Sequence, residues 1–219
     1  MDAILRDRHQ AGQQLAERCA GYRNTRPLIL AVPRGGVVVG AALAAALGGD
    51  LDVVVARKIG APHNPEFAIA AVTETGTLIL EDRLVSYLNI SQEYIQRQAT
   101  AQRQEIERRT RHYRQGRPRL SAAGRITIVV DDGIATGLTM LAALKSVSGE
   151  NPTRLLLAVP VAPPDVAATL RQHVDELVCL HTPEPFYAVG QWYRHFDQTP
   201  DAEVVALLEA HISTPGEPD

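Results

Sequence analysis

Residues 126–139 read ITIVVDDGIATGLT and combine a strand, an acidic tip, a small-residue loop and the start of a helix. The β-branched run of residues 126–130 is typical of a buried strand. Asp131 and Asp132, called here the acidic tip, follow where that strand should end. From Gly137 onward, apolar residues recur at helical spacing. We therefore predict a strand–loop–helix unit with two carboxylates at the end of the strand.

The loop after the acidic tip has the composition of an anion-binding loop. Small residues let backbone N–H groups approach an anion, threonine hydroxyls add donors, and the following helix presents its positive end. The candidate phosphate-binding residues are Gly133, Ile134, Ala135, Thr136, Gly137 and Thr139.

Two adjacent carboxylates would repel a lone phosphate, so the ligand should also bring hydroxyls or a divalent cation, which carboxylates accept readily. A ribose 5-phosphate derivative with bound Mg2+ combines all of these features. The plain alternative is a strand–turn–helix in which an aspartate caps the helix.

The segment VVDDGIATGLT resembles the phosphoribosyl-pyrophosphate (PRPP) signature of type I phosphoribosyltransferases, which has an apolar strand, two acids, three variable residues and Thr-Gly-x-Thr. The resemblance covers roughly residues 28–180. It implies Mg2+-dependent transfer from PRPP to a small-molecule acceptor, with release of pyrophosphate. It also implies that Asp131 and Asp132 hold the ribose hydroxyls and the metal, directly or through water. The predicted hairpin (residues 67–80), the arginine-rich helix (residues 91–113) and the tail from residue 181 are more similar to a poorly characterised group of predicted phosphoribosyltransferases than to a salvage enzyme.

The chain of 219 residues is of single-domain size, and we expect one phosphoribosyltransferase-like domain over residues 1–219. A net charge of -3 gives no general attraction to nucleic acid or to anionic membranes. Cys19 and Cys179 form no CxxC pair, and the first residues, MDAILRDRHQ, lack the order of a signal peptide. We therefore expect a cytoplasmic protein with no nucleic-acid or membrane partner.

The order of elements predicts an α/β fold with a doubly wound, mainly parallel central sheet flanked by helices. The predicted strands are residues 28–32, 51–56, 126–130, 154–160 and 176–180, and the predicted helices are residues 7–21, 37–47, 91–113, 163–173 and 201–211. We predict a hairpin from residues 67–72 and 77–80. The core is expected at residues 28–180, with a small hood or tail at residues 181–219.

A second candidate anion site lies at Arg34, Gly35 and Gly36, which end one predicted strand and begin a helix. Arg57 and Lys58 follow the next strand, in a segment (residues 57–65) that we predict to be a loop. The family resemblance implies that these residues bind pyrophosphate, and that the peptide bond between Arg34 and Gly35 is cis. In the family a mobile loop follows the second strand, and residues 60–66 are the candidate. The alternatives are that residues 33–36 form only a tight turn, and that Arg57 and Lys58 are only solvated cations of a loop.

The residues that would bind the acceptor carry the weakest signal in the sequence. Phe186, Tyr187 and Trp192 are candidates for stacking on a planar acceptor, although core packing explains such residues equally well. In relatives that act on 6-oxopurines the residue before Thr-Gly is typically an acid. Ala135 stands there in this chain, which disfavours a 6-oxopurine.

Seven arginines between positions 103 and 119 invite a nucleic-acid interpretation, but interspersed glutamates favour a solvated helix face or an oligomer contact. The thin apolar stripe of the same helix suggests a homodimer. The function hypotheses are phosphoribosyl transfer as the first choice, a non-catalytic PRPP or nucleotide sensor, and hydrolysis of PRPP.

Overall fold

The computed structural model of the protein describes residues 3–211, apart from the side chain of Glu66. The elements, in chain order, are α1 (Arg8–Arg18), β1 (Leu28–Ala31), α2 (Gly35–Leu47), β2 (Asp50–Val53), β3 (Ala56–Ala61), β4 (Asn64–Thr73), β5 (Leu78–Leu80), α3 (Asp82–Tyr87), α4 (Gln92–Arg114), β6 (Ile126–Val130), α5 (Leu138–Ser148), β7 (Arg154–Val161), α6 (Pro164–Arg171), β8 (Glu176–His181) and α7 (Asp201–Ala210). The final part of the expected tail, residues 212–219, lies outside the described residues.

A five-stranded sheet in the order β2-β1-β6-β7-β8 forms the centre of the protein, and every neighbouring pair in it is parallel. Its side chains alternate between two apolar clusters. Ile29 packs with residues of α1 and α2 on one face, whereas Leu28 and Leu30 pack with residues of α5 and α6 on the other. Parallel sheets are stable when both faces are covered in this way. The predicted doubly wound α/β fold is confirmed.

The strand order reverses between β1 and β6. The chain leaves β1 for β2 on one side, and leaves β6 for β7 on the other. The two strands end side by side, because Ala31 pairs with Val130 and the N–H of Val32 donates to the oxygen of Val130 at 2.9 Å. Such a reversal opens a crevice at the carboxyl ends of the strands, where α/β proteins bind ligands. The acidic tip and residues 33–36 both begin at this crevice.

A second sheet, β3-β4-β5, is antiparallel and contains the predicted hairpin. The prediction of a loop over residues 57–65 is wrong, because residues 56–61 form β3 and pair with β4. Two features of the sequence made β3 difficult to predict. Arg57 and Lys58 interrupt its apolar pattern, and Gly60 suggested a turn. Gly60 is instead a site of close approach, since a Cβ there would lie 2.2 Å from the oxygen of Pro65.

The long helix α4 begins after Ser91, whose hydroxyl accepts the N–H of Tyr94, and it packs within the chain. Its apolar stripe is buried, with Ile95 and Ile106 at 0% exposure, and the helix lies against β3, β4 and α7. The stripe was the basis for expecting a homodimer contact. Because it is covered inside the chain, it no longer supports that expectation.

Two of the seven clustered arginines join the second sheet to the core through ion pairs. Arg114 contacts Asp52 and Glu74, each at 2.9 Å, and Arg119 contacts Glu74 at 2.7 Å and Glu150. The side chains of Arg114, Asp52 and Glu74 are at most 10% exposed. These arginines therefore hold the fold together and are not presented to a nucleic acid.

The tail after β8 crosses back over the start of the chain. Tyr193 forms a parallel bridge with Leu5, and α7 then packs on α2 and α4. None of the helices in residues 3–211 has both the length and the apolar character needed to cross a membrane.

Candidate functional site

The acidic tip and the glycine loop, residues 33–36, meet at the β1/β6 crevice. A Cβ atom added to Gly35 would lie 1.9 Å from Oδ2 of Asp132, and one added to Gly36 would lie 2.9 Å from Oδ1 of Asp131. Glycine is therefore required at both positions if the carboxylates are to stay where they are. The structure therefore brings together the glycine loop and the acidic tip, two segments that the sequence analysis selected as candidate sites.

Arg34 belongs to the glycine loop and directly precedes α2. The cis peptide bond joins Pro33 to Arg34, so its predicted place between Arg34 and Gly35 was wrong by one residue. The guanidinium of Arg34 lies 3.7 Å from Oδ1 of Asp201, at the start of α7, and the Arg34 side chain is 31% exposed. Because neither partner is buried, an anion in the crevice could compete for this guanidinium.

The two acids of the tip differ in their surroundings. Burial raises the pKa of Asp131 well above its usual range, and the neighbouring charge of Asp132 raises it further. Oδ1 of Asp131 accepts the N–H of Asp132 at 2.8 Å. Burial also raises the pKa of Asp132, although the hydrogen bond and charge of Arg8 oppose that shift. Both carboxylates therefore sit where a cation or hydroxyl donors would relieve their desolvation.

Two residues that the sequence analysis did not select hold Asp132. Nε of Arg8 donates to Oδ2 of Asp132 at 2.7 Å, and the hydroxyl of Tyr193 donates to its backbone oxygen at 2.6 Å. Arg8 lies in the first turn of α1, and Tyr193 lies in the tail. They are separated from Asp132 by 124 and 61 positions, so no local sequence signal could have revealed either contact.

The small-residue loop, residues 133–139, presents several backbone N–H groups that have no acceptor in the described part of the chain. Within the described residues, the N–H groups of positions 135–140 have no protein acceptor, whereas the N–H of Ile134 donates to Val161. Gly137 precedes α5 with φ of 82°, a conformation that favours glycine. Ala135 and Thr136 are exposed, and Thr139 is half-buried in the first turn of α5. The geometry is that of a helix N-terminus open to an anion.

Arg57 and Lys58 lie on β3 rather than on a loop at the crevice. Nε of Arg57 donates to Oε1 of Gln102 at 2.5 Å, and the guanidinium lies 3.8 Å from Glu105. Both partners belong to α4, so the guanidinium of Arg57 is engaged by that helix. The segment at residues 60–66, expected as a mobile loop, spans the tight connection between β3 and β4.

The aromatic residues of the tail have different environments. Trp192 is only 3% exposed and packs against Phe186, with ring centroids 5.8 Å apart, whereas Tyr187 is 81% exposed. Core packing therefore explains Trp192, and Tyr187 is the most open of the three candidates. Val189 covers the small-residue loop, since a Cβ on Gly133 would lie 2.5 Å from its Cγ1.

Residues 3–211 contain no group of three or more His, Cys, Asp or Glu side chains that could hold a metal ion. Any cation at the crevice would therefore have the two carboxylates of the tip as its nearest candidate ligands. A cleft of about 630 Å³ lies elsewhere, between the β3–β4 connection and the start of α4, and is lined in part by His63 and Arg97. It includes none of the residues of the crevice.

Comparison with known proteins gives a match to one family model and to two curated proteins. The family model described as the phosphoribosyl transferase domain matches residues 2–192. Two curated proteins from Mycobacterium tuberculosis strains, provisionally named as phosphoribosyl transferases, are each 43% identical over 206 residues, which is 94% of this chain. The chain spans 46% of the length of those relatives.

The solved structures include a similar protein of matching length. The crystal structure of TT1426 from Thermus thermophilus is 44% identical in sequence and superposes with a TM-score of 0.82. The match covers 97% of this chain and all of the other. The glycine loop, the acidic tip and the small-residue loop all lie within the part of the chain that the family model matches.

Proposed function

The chain belongs to the phosphoribosyl transferase family, and from this we propose that it transfers the 5-phosphoribosyl group of PRPP to a small-molecule acceptor and releases pyrophosphate. One observation carries the proposal: Gly35 and Gly36 lie directly against Asp132 and Asp131 at the point where the strand order reverses. A ligand in that crevice would meet anion-binding backbone on two sides and carboxylates between them.

In the proposed complex, the 5-phosphate binds the small-residue loop and the first turn of α5. The free N–H groups at positions 135–140 and the hydroxyls of Thr136 and Thr139 are its donors. The ribose hydroxyls donate to the carboxylates of Asp131 and Asp132. The phosphoribosyl group therefore spans one strand end, from the tip to the helix.

The pyrophosphate binds the glycine loop at the start of α2. The N–H groups of Gly35 and Gly36 have no protein acceptor within the described residues, and Arg34 brings a guanidinium. Arg57 is engaged by α4, so we assign the pyrophosphate to the glycine loop and not to Arg57.

The residues of the tip fit a magnesium ion. Mg2+ is usually held by one or two carboxylates together with substrate phosphates and water, and Asp131 and Asp132 supply such a pair. Their burial beside one another, with Arg8 as the one cation bonded to them among the described residues, is a setting that a divalent cation would stabilise. When bound, Mg2+ would supply charge neutralisation of the pyrophosphate.

In the proposed reaction, the bond between C1 of ribose and the pyrophosphate oxygen breaks, and its electron pair leaves with pyrophosphate. Positive charge develops at C1, and the nearby carboxylates of the tip stabilise it. Arg34 offsets the charge gained by the leaving group. The acceptor donates an electron pair to C1 and loses a proton to solvent, which completes the balance.

We propose a small-molecule acceptor, with a 6-oxopurine disfavoured by Ala135. Tyr187 and Phe186, at the surface of the tail, are the proposed contacts for a planar acceptor. The two cysteines are free thiols, which favours a reducing, cytoplasmic setting.

Isothermal titration with PRPP and Mg2+ tests the proposal. We expect binding to the wild-type protein and loss of binding in Asp131→Asn/Asp132→Asn, with thermal unfolding still cooperative. Asp82→Asn/Asp165→Asn is the matched control, because it removes two exposed acids from α3 and α6. Absence of binding to the wild type at millimolar PRPP would exclude the proposed donor.

Pyrophosphate release against a panel of bases, amines and amides then separates the activities. Release that depends on an acceptor supports transfer. Release in buffer alone would instead indicate hydrolysis of PRPP, and binding without release under every condition would indicate a PRPP sensor.

A further inference from the structure

Among the described residues, Arg8 is the one cation that bonds to a carboxylate of the tip. Its Nε donates to Oδ2 of Asp132 at 2.7 Å, and this ion pair is well shielded, with side-chain exposures of 13% and 15%. Arg8 also touches the glycine loop, because a Cβ added to Gly35 would lie 2.5 Å from Nε of Arg8. The guanidinium thus stands where the two halves of the crevice meet.

The tail fixes Arg8 in place. Its Nη1 donates to the backbone oxygen of Asp197 at 2.7 Å, and its guanidinium lies 3.8 Å from the centre of the Phe196 ring. Phe196 in turn stacks on Tyr193, with ring centroids 4.9 Å apart, and Tyr193 holds the backbone of Asp132. Arg8 and Tyr193 therefore hold the side chain and the backbone of one aspartate from the same side of the crevice.

Asp131 is held differently, since its Oδ1 accepts the backbone N–H of Asp132, its neighbour in the chain. An aspartate side chain without a fixed partner can rotate, and each rotation would move its acceptor oxygens. Commitment of Oδ2 of Asp132 to Arg8 leaves Oδ1 as the oxygen that Arg8 does not occupy. The positive charge of Arg8 also reduces the repulsion between the two carboxylates.

We propose that Arg8 is a positioning residue for phosphoribosyl binding, which holds Asp132 so that Oδ1 accepts a ribose hydroxyl. The inference rests on the proposed function. In this role Arg8 acts through Asp132 and not through the phosphate or the pyrophosphate. The N-terminal helix and the tail therefore form part of the donor site, although the signature sequence lies far from both.

Calorimetric titration of Arg8→Gln with two separate probes tests this role. Ribose 5-phosphate carries the hydroxyls that Asp132 would accept, whereas inorganic pyrophosphate lacks them. Loss of the fixed acceptor should weaken the binding of ribose 5-phosphate and of PRPP with Mg2+ about tenfold, the effect of losing one charge-assisted hydrogen bond. The affinity for pyrophosphate should fall by a clearly smaller factor, because this probe loses only the nearby charge of Arg8.

Arg125→Gln is the matched control. Arg125 pairs with Asp50 through another half-buried ion pair, and both residues lie at the opposite, amino-terminal edge of the sheet. This variant should lose a comparable amount of thermal stability and bind both probes as the wild type does. Arg8→Lys keeps the charge but cannot reproduce the forked contact to Asp132 and Asp197, so it should recover only part of the ribose 5-phosphate affinity.

A double-mutant comparison tests whether Arg8 affects ligand binding through Asp132. If Arg8 acts through Asp132, then adding Arg8→Gln to Asp132→Asn should change the affinity for PRPP by less than about twofold. Should Arg8→Gln fail to fold, Arg8→Lys in the same comparison supplies the test.

Several outcomes overturn the inference. They are unchanged ribose 5-phosphate binding in Arg8→Gln, equal losses for both probes, and additive effects with Asp132→Asn. A wild-type protein that binds neither PRPP nor ribose 5-phosphate would overturn the proposed function, and this inference with it. If the wild type binds PRPP and ribose 5-phosphate and Arg8→Gln binds them with the same affinity, this inference alone is overturned.

Discussion

Gly36 lies directly against Asp131, so that a Cβ atom on Gly36 would stand 2.9 Å from both Cα and Oδ1 of Asp131. The backbone oxygen of Val130 would be only 3.1 Å away. Two of the three atoms belong to the backbone of β6 and its end, so they cannot turn aside as a flexible side chain would. The relation makes the glycine loop and the acidic tip one rigid unit, and a methyl group between them is a direct probe of the site.

We predict that Gly36→Ala separates the glycine loop from the tip and weakens the binding of PRPP with Mg2+ at least about tenfold, because a small misplacement of binding groups is costly. Calorimetric titration measures the loss, and circular dichroism reports whether the fold is retained. Gly21→Ala is the control, since a Cβ at Gly21 would meet no atom within 4 Å. Equal affinity in Gly36→Ala and wild type would show that the two segments do not act on one ligand.

Asp201 is predicted to compete with pyrophosphate for Arg34. Its Oδ1 lies 3.7 Å from the Arg34 guanidinium, and it also accepts the hydroxyl of Tyr113 at 2.9 Å. Asp201→Asn should release Arg34 and tighten pyrophosphate binding by about twofold, the modest effect expected of a partly exposed ion pair. Titration with inorganic pyrophosphate measures the change.

Glu203→Gln provides the control for Asp201→Asn. It removes the same charge from the same turn of α7, and Glu203 is exposed and forms no ion pair with Arg34 within the described part of the chain. An equal effect of the two variants would point to the overall charge of α7 rather than to the contact with Arg34. Weaker pyrophosphate binding in Asp201→Asn would mean that Asp201 orients Arg34 instead of competing with it.

The sequence predicted the central sheet well because its strands carry their own signals. The apolar runs at residues 28–32 and 126–130 end at short motifs, and parallel strands place such ends at one edge. The contact between residues 33–36 and the acidic tip agrees with this rule. The observed pairing of Ala31 with Val130 confirms that their strands are neighbours.

Contacts between distant segments could not be predicted in the same way. The strand β3 was missed because Arg57 and Lys58 interrupt its apolar pattern, and the partner of Arg57, Gln102, lies 45 positions away on α4. Arg8 carried no local signal of a functional role, because its partners Phe196 and Asp197 belong to the tail. Such contacts depend on chain segments whose approach is set by packing rather than by local pattern.

Cys19 is predicted to be unreactive in the folded protein. It is fully buried, and burial, together with the nearby charge of Glu176, raises the pKa of its thiol to about 12. Because the thiolate is the reactive form, little of it exists at pH 8. Cys179→Ser isolates this thiol, and a disulfide exchange reagent should modify it only when urea unfolds the chain. Rapid modification in native buffer would show that α1 opens locally.

The buried ion network around Arg114 should determine much of the stability of the second sheet. Arg114→Met leaves Asp52 and Glu74 without this partner at exposures of 10% or less. Removing one partner of a buried pair costs about 3 kcal/mol or more in the free energy of unfolding. Urea denaturation followed by circular dichroism measures the change.

Arg108→Ala is the control for Arg114→Met on the same helix. Arg108 is 67% exposed and pairs with Glu105 along the surface of α4, so the urea midpoint should stay nearly unchanged. Asp52 also accepts the N–H of Leu120 at 2.9 Å, which ties the connection after α4 to the same network. Arg114→Met should therefore loosen the link between α4 and β6 as well as β4. Equal urea midpoints for the two variants would contradict the assignment of Arg114 to a network on which the fold depends.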